Sequence, residues 1–360
     1  MAKPFPPLSE TPRTSIGRRS MLVGLASMFA SCAIQSAGQR NPLPGFAEGR
    51  KEWMRSVSSI RDRILILAPS NLGLRPKFVG HEPGTWRAPQ ALVDAGIIEA
   101  ISPSRIIPLP RPTYDPVSKE PFGILNAAAI RAFDLRVAEL VSDAFLGGAL
   151  PILVGGDCSI LLGALAGIRK SSEIMLIHLD GHSDFRHPGN YDPGKTPGAV
   201  AGMDLAIATG RGDESLTRWP GLESPLVADE DVLQLGERES RNVDWAWPDI
   251  RSTAIHQVDI FEMKKRGRRW VQQRVDAFLS RSDRPFWIHL DVDVLDERLM
   301  PAVDSPGRPG LSTSDLVRMI CPLVRKGAFA GISITVFDPD MDPEGVFAER
   351  IVRMVKRLFH

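Results

Sequence analysis

Cysteine is scarce in this chain, and neither sign of charge is in excess. The three cysteines among 360 residues (Cys32, Cys158 and Cys321) are too few and too scattered for a disulfide framework. Lys and Arg number 44 against 43 Asp and Glu, and the resulting net charge of +1 gives no support for nucleic-acid binding. With 43% hydrophobic residues, the composition predicts a globular protein with ample material for a core.

The chain also lacks internal repeats, low-complexity linkers and a second domain boundary, so we predict a single domain from about residue 45 to residue 360. The first 40 residues differ from the rest. Arg18-Arg19 precede an apolar run of about a dozen residues, a secretory pattern that resembles a twin-arginine signal. The run is too short for a membrane span. The four residues ending at Cys32 (FASC) resemble a lipobox, which would make Cys32 a membrane tether.

Residues 1–40 are therefore predicted to be an export signal or an N-terminal anchor, and the protein to be periplasmic or membrane-anchored. A cytoplasmic protein with a disordered N-terminal tail is the alternative.

From about residue 60 onwards, short apolar runs alternate with amphipathic stretches. This alternation is typical of an α/β protein whose mainly parallel sheet is covered by helices on both faces. The predicted strands are Ile64–Ala68, Pro151–Val154, Ile174–Leu179, Val232–Leu235, Ala254–Val258, Phe286–Leu290 and Gly331–Val336. The predicted helices are Ala127–Leu146, Ser159–Arg169, Arg268–Ser280, Ser312–Arg325 and Ala348–Leu358, with Ser312 or Ser314 as the N-cap of the fourth.

Two of these strands, in LIHLDGHSDF and WIHLDVDVLD, end in alternating groups that metals bind. The candidate ligands are Asp180, His182 and Asp184 after the first strand and Asp291 and Asp293 after the second. If the extended geometry persists, alternate residues share a face and converge. Four carboxylates and one imidazole facing one another would repel unless cations lay between them. A set of oxygen ligands with one His is typical of a Mn²⁺ site and less typical of a zinc site with thiolate ligands. His178 and His289, by contrast, are interpreted as interior packing residues.

Either run alone could be a set of loop caps and turns. Two further strand ends, however, carry Asp157-Cys158 and Asp338-Pro339-Asp340. Ligands of open parallel sheets bind outside the carboxyl ends of the strands. Four strand ends that present such groups therefore predict one metal site at that edge.

Three motifs in this order, GGDCS (155–159), DGHSD (180–184) and DVDVLD (291–296), resemble those of the ureohydrolases, the family of arginase, agmatinase and formiminoglutamase. The resemblance covers about residues 60–360. It implies a three-layer α/β/α fold, as in arginases and deacetylases, and a binuclear manganese centre. It also implies a small-molecule substrate, attack by a metal-bound hydroxide on a guanidinium or related C–N carbon, and a homo-oligomer.

Carried over by position, the resemblance makes Asp180 and Asp291 bridging ligands of two metals. His182 and Asp293 would complete the shell of one metal and Asp184 that of the other. Asp157 and Asp296 would support these ligands from behind. Cys158 stands where the family has a His, so either Cys158 binds and shifts the preference toward Zn²⁺ or Fe²⁺, or that metal is weak or absent. A buried, inert Cys is the other interpretation.

Two departures concern the reaction itself. The family's proton-moving His corresponds to Ala201, and the glutamate that grips the guanidinium corresponds to Val336. His187 and Asp338 are the candidates to replace these two groups. The segment from Arg75 to Ala88 follows the first strand, and its His81, Glu82 and Trp86 are candidate substrate contacts.

We therefore predict a metal-dependent hydrolase of C–N bonds in a guanidino, amidine or amide substrate. One alternative is a deacetylase-like amidohydrolase with a single metal at Asp180, His182 and Asp291. Another is a non-catalytic metal-binding or ligand-binding protein on the same scaffold, which the changes at Ala201 and Val336 favour.

Overall fold

A computed structural model of the chain describes residues 61–117, 123–192, 194–222, 225–241 and 248–360. The predicted signal segment, with Arg18, Arg19 and Cys32, lies outside these residues. The described residues from 61 onwards belong to one compact unit. No helix in the described ranges has both the length and the apolar character that a membrane crossing requires.

The centre of the structure is an eight-stranded parallel sheet with the strand order β2-β1-β3-β8-β7-β4-β5-β6. Strands β3, β4, β7 and β8 are buried along their whole length, because helices cover both faces. The strands are β1 (Arg63–Ala68), β2 (Arg105–Pro108), β3 (Leu150–Gly155), β4 (Met175–Leu179), β5 (Val232–Leu235), β6 (His256–Val258), β7 (Phe286–Asp291) and β8 (Phe329–Thr335).

Helices pack on both faces of the sheet and divide the apolar core in two. The first group is α1 (Ala88–Asp94), α2 (Ile97–Ile101), α7 (Ile260–Arg266), α8 (Arg268–Leu279), α9 (Thr313–Ile320) and α10 (Val346–Phe359), which share one core with the sheet. The second group is α3 (Ala127–Leu146), α4 (Ile160–Arg169), α5 (Asp204–Ala208) and α6 (Glu214–Thr217), which share the other. The fold is therefore the predicted three-layer α/β/α arrangement.

Every predicted strand and helix is present, with ends displaced by a few residues. Helix α9 is the largest exception, because it ends at Ile320 instead of Arg325. Pro322 follows two residues later and has no backbone N–H to donate to a further turn. At the start of this helix the Ser312 hydroxyl accepts a hydrogen bond from the Asp315 N–H at 3.1 Å, which makes Ser312 the N-cap. The edge strand β2 and the helices α1, α2, α5, α6 and α7 were not predicted.

The register of the three central strands positions the residues behind the predicted site. His178 on β4 pairs with His289 on β7, and His289 pairs in turn with Ser333 on β8. All three side chains are fully buried, as predicted for the two histidines. They form a polar row across the sheet, and the two histidines lie two residues before Asp180 and Asp291.

Candidate metal centre

The first group of ligands is held by a turn and not by an extended strand. Strand β4 ends at Leu179, and the Asp180 Oδ1 atom accepts a hydrogen bond from the His182 N–H at 2.6 Å. Asp184 has a φ of 46°, in the left-handed region that few non-glycine residues adopt. The expectation that strand alternation brings these residues together is therefore wrong in its geometry. The turn, which an Asp side chain stabilises well, brings them together instead.

The second group repeats this design. Asp291 ends β7, and its Oδ1 atom accepts from the Asp293 N–H at 2.7 Å at the start of a short 3₁₀ helix, Val292–Val294. In both turns one carboxylate oxygen therefore fixes the loop, which leaves the second oxygen for another partner.

All six predicted ligands lie together at the carboxyl edge of the sheet. Three groups each place their ligand atoms within 4.8 Å of one another: Asp180, His182 and Asp293; Cys158, Asp180 and Asp291; and Asp184 with His178 and Asp204. The His182 Nδ1 atom is 2.9 Å from the Asp293 Oδ2 atom. The edge at which they gather is the one predicted from the four strand ends.

The charges at this edge are unbalanced. Burial, and then the neighbouring Asp carboxylates, raise the pKa of both Asp184 and Asp291 well above the usual range. The Asp180 Oδ2 atom is buried and has no hydrogen-bond partner within the described ranges. A cation would remove the repulsion and give this atom a partner, so the donor set of carboxylates and one imidazole fits divalent ions of the hard-to-borderline kind.

Asp293 is the exception among these carboxylates. Burial would raise its pKa, but the His182 ring and the Arg238 guanidinium outweigh this effect and lower the pKa to about 2. Arg238 donates from Nη2 to the backbone carbonyl of Asp293 and lies 3.3 Å from its Oδ1 atom. Asp293 is therefore held in its ionised form, ready to bind a cation together with His182.

Cys158 is positioned by β3 and lies beside the carboxylates. It is 1% exposed, and its Sγ atom donates to the Asp291 Oδ2 atom at 2.9 Å and lies 3.2 Å from the Thr335 hydroxyl. Burial, and then the charge of Asp291, raise the pKa of the thiol well above its usual value. Without a metal, Cys158 is therefore a neutral hydrogen-bond donor.

A pocket of about 460 Å³ opens onto these ligands. His182, Asp184, Asp291 and Asp293 line it together with Glu239, Ala201 and Val336. Val336 has a φ of 73°, which is strained for a β-branched residue. At the two positions where the resemblance implies a His and a Glu, the wall of the pocket thus carries a methyl group and an isopropyl group.

The two proposed replacement residues have their partners elsewhere. His187 contacts Asp249 through Nε2 at 2.5 Å and accepts from the Gly189 N–H through Nδ1 at 3.1 Å. Asp338 accepts from the Gly84 N–H at 3.2 Å and from the Asp340 N–H at 3.0 Å. Neither residue lines the pocket, so the structure shows no contact for the roles predicted for them.

The two residues predicted to support the metal ligands, Asp157 and Asp296, differ in their contacts. Asp157 is buried behind Cys158, where it accepts from the Ser70 hydroxyl at 2.7 Å and the Ser159 N–H at 2.9 Å. Asp296 instead pairs with Arg298 at 2.6 Å. Of the candidate substrate contacts, Glu82 binds the Asn71 amide at 2.9 Å and Arg111, and the pocket lining includes neither it nor His81 nor Trp86.

The Arginase family model matches residues 66–360. The chain belongs to the arginase family. The arginase of Brevibacillus brevis is 29% identical over 225 residues, which cover 62% of this chain and 73% of that protein. Arginase-1 of Sus scrofa is 26% identical over 241 residues, or 65% of this chain and 72% of that protein. The solved arginase of Bacillus caldovelox shares the fold with a TM-score of 0.73, at 24% identity and with coverage of 83% of this chain and 98% of that one.

Membership of the arginase family makes the chain a hydrolase of C–N bonds other than peptide bonds, and its buried Asp, His and Cys side chains form groups that could hold a metal ion. Enzymes of this family act on small molecules and are often oligomers.

Three residues of this arginase-family site were not found from the sequence: Asp204, Arg238 and Glu239. Asp204 is fully buried at the start of α5. Arg238 and Glu239 follow β5, so the rule that ligands gather at carboxyl strand ends would have found both. Glu239 lines the pocket and accepts from the Ser183 N–H at 3.0 Å and the Ser183 hydroxyl at 3.1 Å. Burial raises its pKa.

Proposed function

We propose that the protein hydrolyses a C–N bond in a neutral amide that carries an anionic group, with two divalent ions, Mn²⁺ in the outer position, as cofactors. The outer ion would be held by Asp180, His182 and Asp293, and the inner one by Cys158 together with its buried neighbours. The observation that supports the proposal is the cage of carboxylates that opens into the pocket beside the apolar Ala201 and Val336.

When bound, such a pair of ions supplies a water molecule that ionises near neutral pH and a positive charge beside the reacting carbon. The protein's part is to hold the ions and to orient the substrate. Asp293 stays ionised because of Arg238, and the turns at Asp180 and Asp291 fix the direction of both carboxylates.

The leaving nitrogen needs a proton, and Glu239 is the group that we propose to provide it. Its carboxyl lines the pocket, and burial raises its pKa toward the range in which a carboxyl group can act as a general acid. The two hydrogen bonds from Ser183 fix its position next to the ligand loop.

The pocket walls favour a substrate whose reacting group is neutral and whose tail is negative. Ala201 and Val336 offer no carboxylate to a guanidinium, whereas Arg75, Lys77 and Arg186 are among the lining residues. Lys77 is partly balanced by Asp304 at 3.7 Å. Burial, and then the positive charge of Arg75, lower the pKa of Arg186. A carboxylate or phosphate between them would relieve their repulsion.

The test is turnover of a matched panel by protein loaded with Mn²⁺. One substrate has an amide head on a carboxylate tail, a second has the same head on an uncharged tail, and a third has a guanidine head on the carboxylate tail. We expect turnover of the first, weak turnover of the others, and none by Asp291→Ala.

Arg186→Gln tests the role of the tail, with the exposed Arg218→Gln as its control. Arg186→Gln should raise the KM for the acidic substrate roughly tenfold, because a charged hydrogen bond is lost, and should change kcat little. Arg218→Gln should change neither constant. Metal-loaded protein that is inert toward the whole panel would contradict the proposal, and binding without turnover would favour the non-catalytic alternative.

We also propose that the protein is exported. The support is the sequence alone, Arg18-Arg19 followed by an apolar run. A fusion of residues 1–40 to a reporter protein that remains in the cytoplasm would contradict this.

A further inference from the structure

A second polar cluster lies beside the candidate metal ligands and outside the pocket lining. It consists of His178, His289 and Asp204, all with 0% exposure. None of the three lines the pocket. The His289 Nε2 atom, both ring nitrogens of His178 and both carboxylate oxygens of Asp204 lack a hydrogen-bond partner within the described residues. Five unpartnered polar atoms in a fully buried space carry a large desolvation cost unless a ligand joins them.

The distances in this cluster are those between ligands of one metal ion. The His289 Nε2 atom is 3.6 Å from the Asp204 Oδ2 atom, and the His178 Nε2 atom is 3.5 Å from the Asp204 Oδ1 atom. Both exceed an N–H···O hydrogen bond. Two ligands at Zn–N and Zn–O distances of about 2.1 Å in a tetrahedral site lie about 3.4 Å apart.

Cys158 provides a third donor. The ligand atoms of Cys158, Asp204 and His289 all lie within 4.8 Å of one another, and all three residues are buried. A sulfur, a nitrogen and an oxygen this close together suit Zn²⁺ in the type of donor, because thiolate is a soft ligand and imidazole a borderline one.

The outer contacts of the cluster fit ligand roles as well. The His289 Nδ1 atom lies 2.9 Å from the Ser333 hydroxyl, which also accepts from the Trp287 indole N–H at 3.1 Å. Ring nitrogens opposite a metal are commonly fixed by such a partner. The second Asp204 oxygen, Oδ1, faces the His178 ring at 3.5 Å, a distance at which a protonated ring and a carboxylate attract each other.

From these contacts we infer a zinc site at Cys158, Asp204 and His289, buried beside the Mn²⁺ position at Asp180, His182 and Asp293. His178 is a positioning residue for Asp204. Zinc binding displaces the thiol proton of Cys158 to solvent and so releases Asp291 from its hydrogen bond with Sγ. The inference concerns metal binding only, and so it does not depend on the proposed hydrolysis.

The test uses the chelated protein reconstituted with Co²⁺, which reports its ligands by absorption. We expect a thiolate-to-cobalt charge-transfer band in the near ultraviolet and the intense visible bands of a tetrahedral ion. Cys158→Ser should abolish the charge-transfer band. His289→Gln and Asp204→Asn should weaken both sets of bands and remove one molar equivalent of bound metal. The control Asp293→Asn, in the outer group, should keep the charge-transfer band.

Two results would overturn the inference. One is wild-type protein without a charge-transfer band at full Co²⁺ loading. The other is His289→Gln with the wild-type band and the wild-type metal content, since Cys158 would then bind with Asp180 and Asp291 alone. Circular dichroism identifies any variant that fails to fold. If a variant fails to fold, X-ray absorption at the zinc edge of the unmodified protein, loaded with one equivalent of zinc, tests the inference by itself. The proposed site requires one sulfur and an imidazole nitrogen on the same ion.

Discussion

Asp204→Asn should make the metal-free protein more stable at neutral pH. Asp204 is buried at the start of α5, and burial raises its pKa from 3.8 to about 6. Its carboxylate has no hydrogen-bond partner among the described residues. Asn has nearly the same shape and cannot ionise, so it resembles the protonated form of Asp204 at every pH.

The sign and size of this effect follow from the pKa shift. An acid whose pKa is raised by folding keeps its proton in the folded chain after the unfolded chain has lost it. The free energy of unfolding therefore falls as the pH rises above about 4 and levels off above about 6. A shift of about 2 units corresponds to about 3 kcal/mol. Asp184, Asp291, His178 and His182 also have raised pKa values and add falls of the same sign in the wild type.

Urea unfolding of chelated wild-type and Asp204→Asn protein from pH 4 to pH 8 measures the difference. The two curves should agree near pH 4, and the variant should be more stable by about 3 kcal/mol at pH 7. The exposed helical control Asp143→Asn should follow the wild type throughout. If Asp204→Asn showed the same loss of stability with rising pH as the wild type, burial of Asp204 could not be the source of that loss.

Three further substitutions test other parts of the structure. Arg238→Met removes the cation beside Asp293 and should cost about 3 kcal/mol of unfolding free energy at pH 7. A carboxyl group whose pKa is lowered by folding stabilises the protein only above its usual pKa, so this cost should shrink as the pH falls from 4 toward 2. A cost that stays constant over this range would contradict the pairing of Arg238 with Asp293. Gly236→Ala should cost about 3 kcal/mol by thermal unfolding, since φ is 102° and a Cβ would lie 2.5 Å from a neighbouring side chain. Gly267→Ala, with φ 80° and open space, should cost about 1–2 kcal/mol, and equal costs would refute the steric reasoning. Ser312→Ala removes the N-cap of α9 and should cost about 1 kcal/mol in urea unfolding, whereas Ser312→Asp should retain the wild-type value.

The metal ligands at the strand ends could be predicted from the sequence because the sheet is parallel. Apolar runs mark the buried strands, and parallel strands bring their carboxyl ends to one edge, so Asp180 and Asp291 had to lie near each other. The local geometry could not be predicted in the same way. Asp184 reaches the site through a left-handed backbone conformation, which alternation along a strand does not indicate.

The buried cluster of His178, His289 and Asp204 could not be predicted from the sequence. The burial of His178 and His289 was predicted, but their alignment with Ser333 depends on the register between three strands that are far apart in the chain. Asp204 follows a 3₁₀ turn, Val200–Gly202, after a long loop, and its place beside the two histidines depends on how α5 packs against α4. Neither register nor helix packing leaves a periodic pattern in the sequence.

Asp180 lies between the two groups of ligands, with Oδ1 3.6 Å from the His182 ring and Oδ2 4.0 Å from the His178 ring. An ion bound on either side of Asp180 would be attracted by the negative charge of the same carboxylate. Filling one position must therefore change the affinity of the other, and by thermodynamic linkage the factor is the same in both directions. Two ions would load in an order set by this shared carboxylate, and titration with a single metal should give two unequal steps.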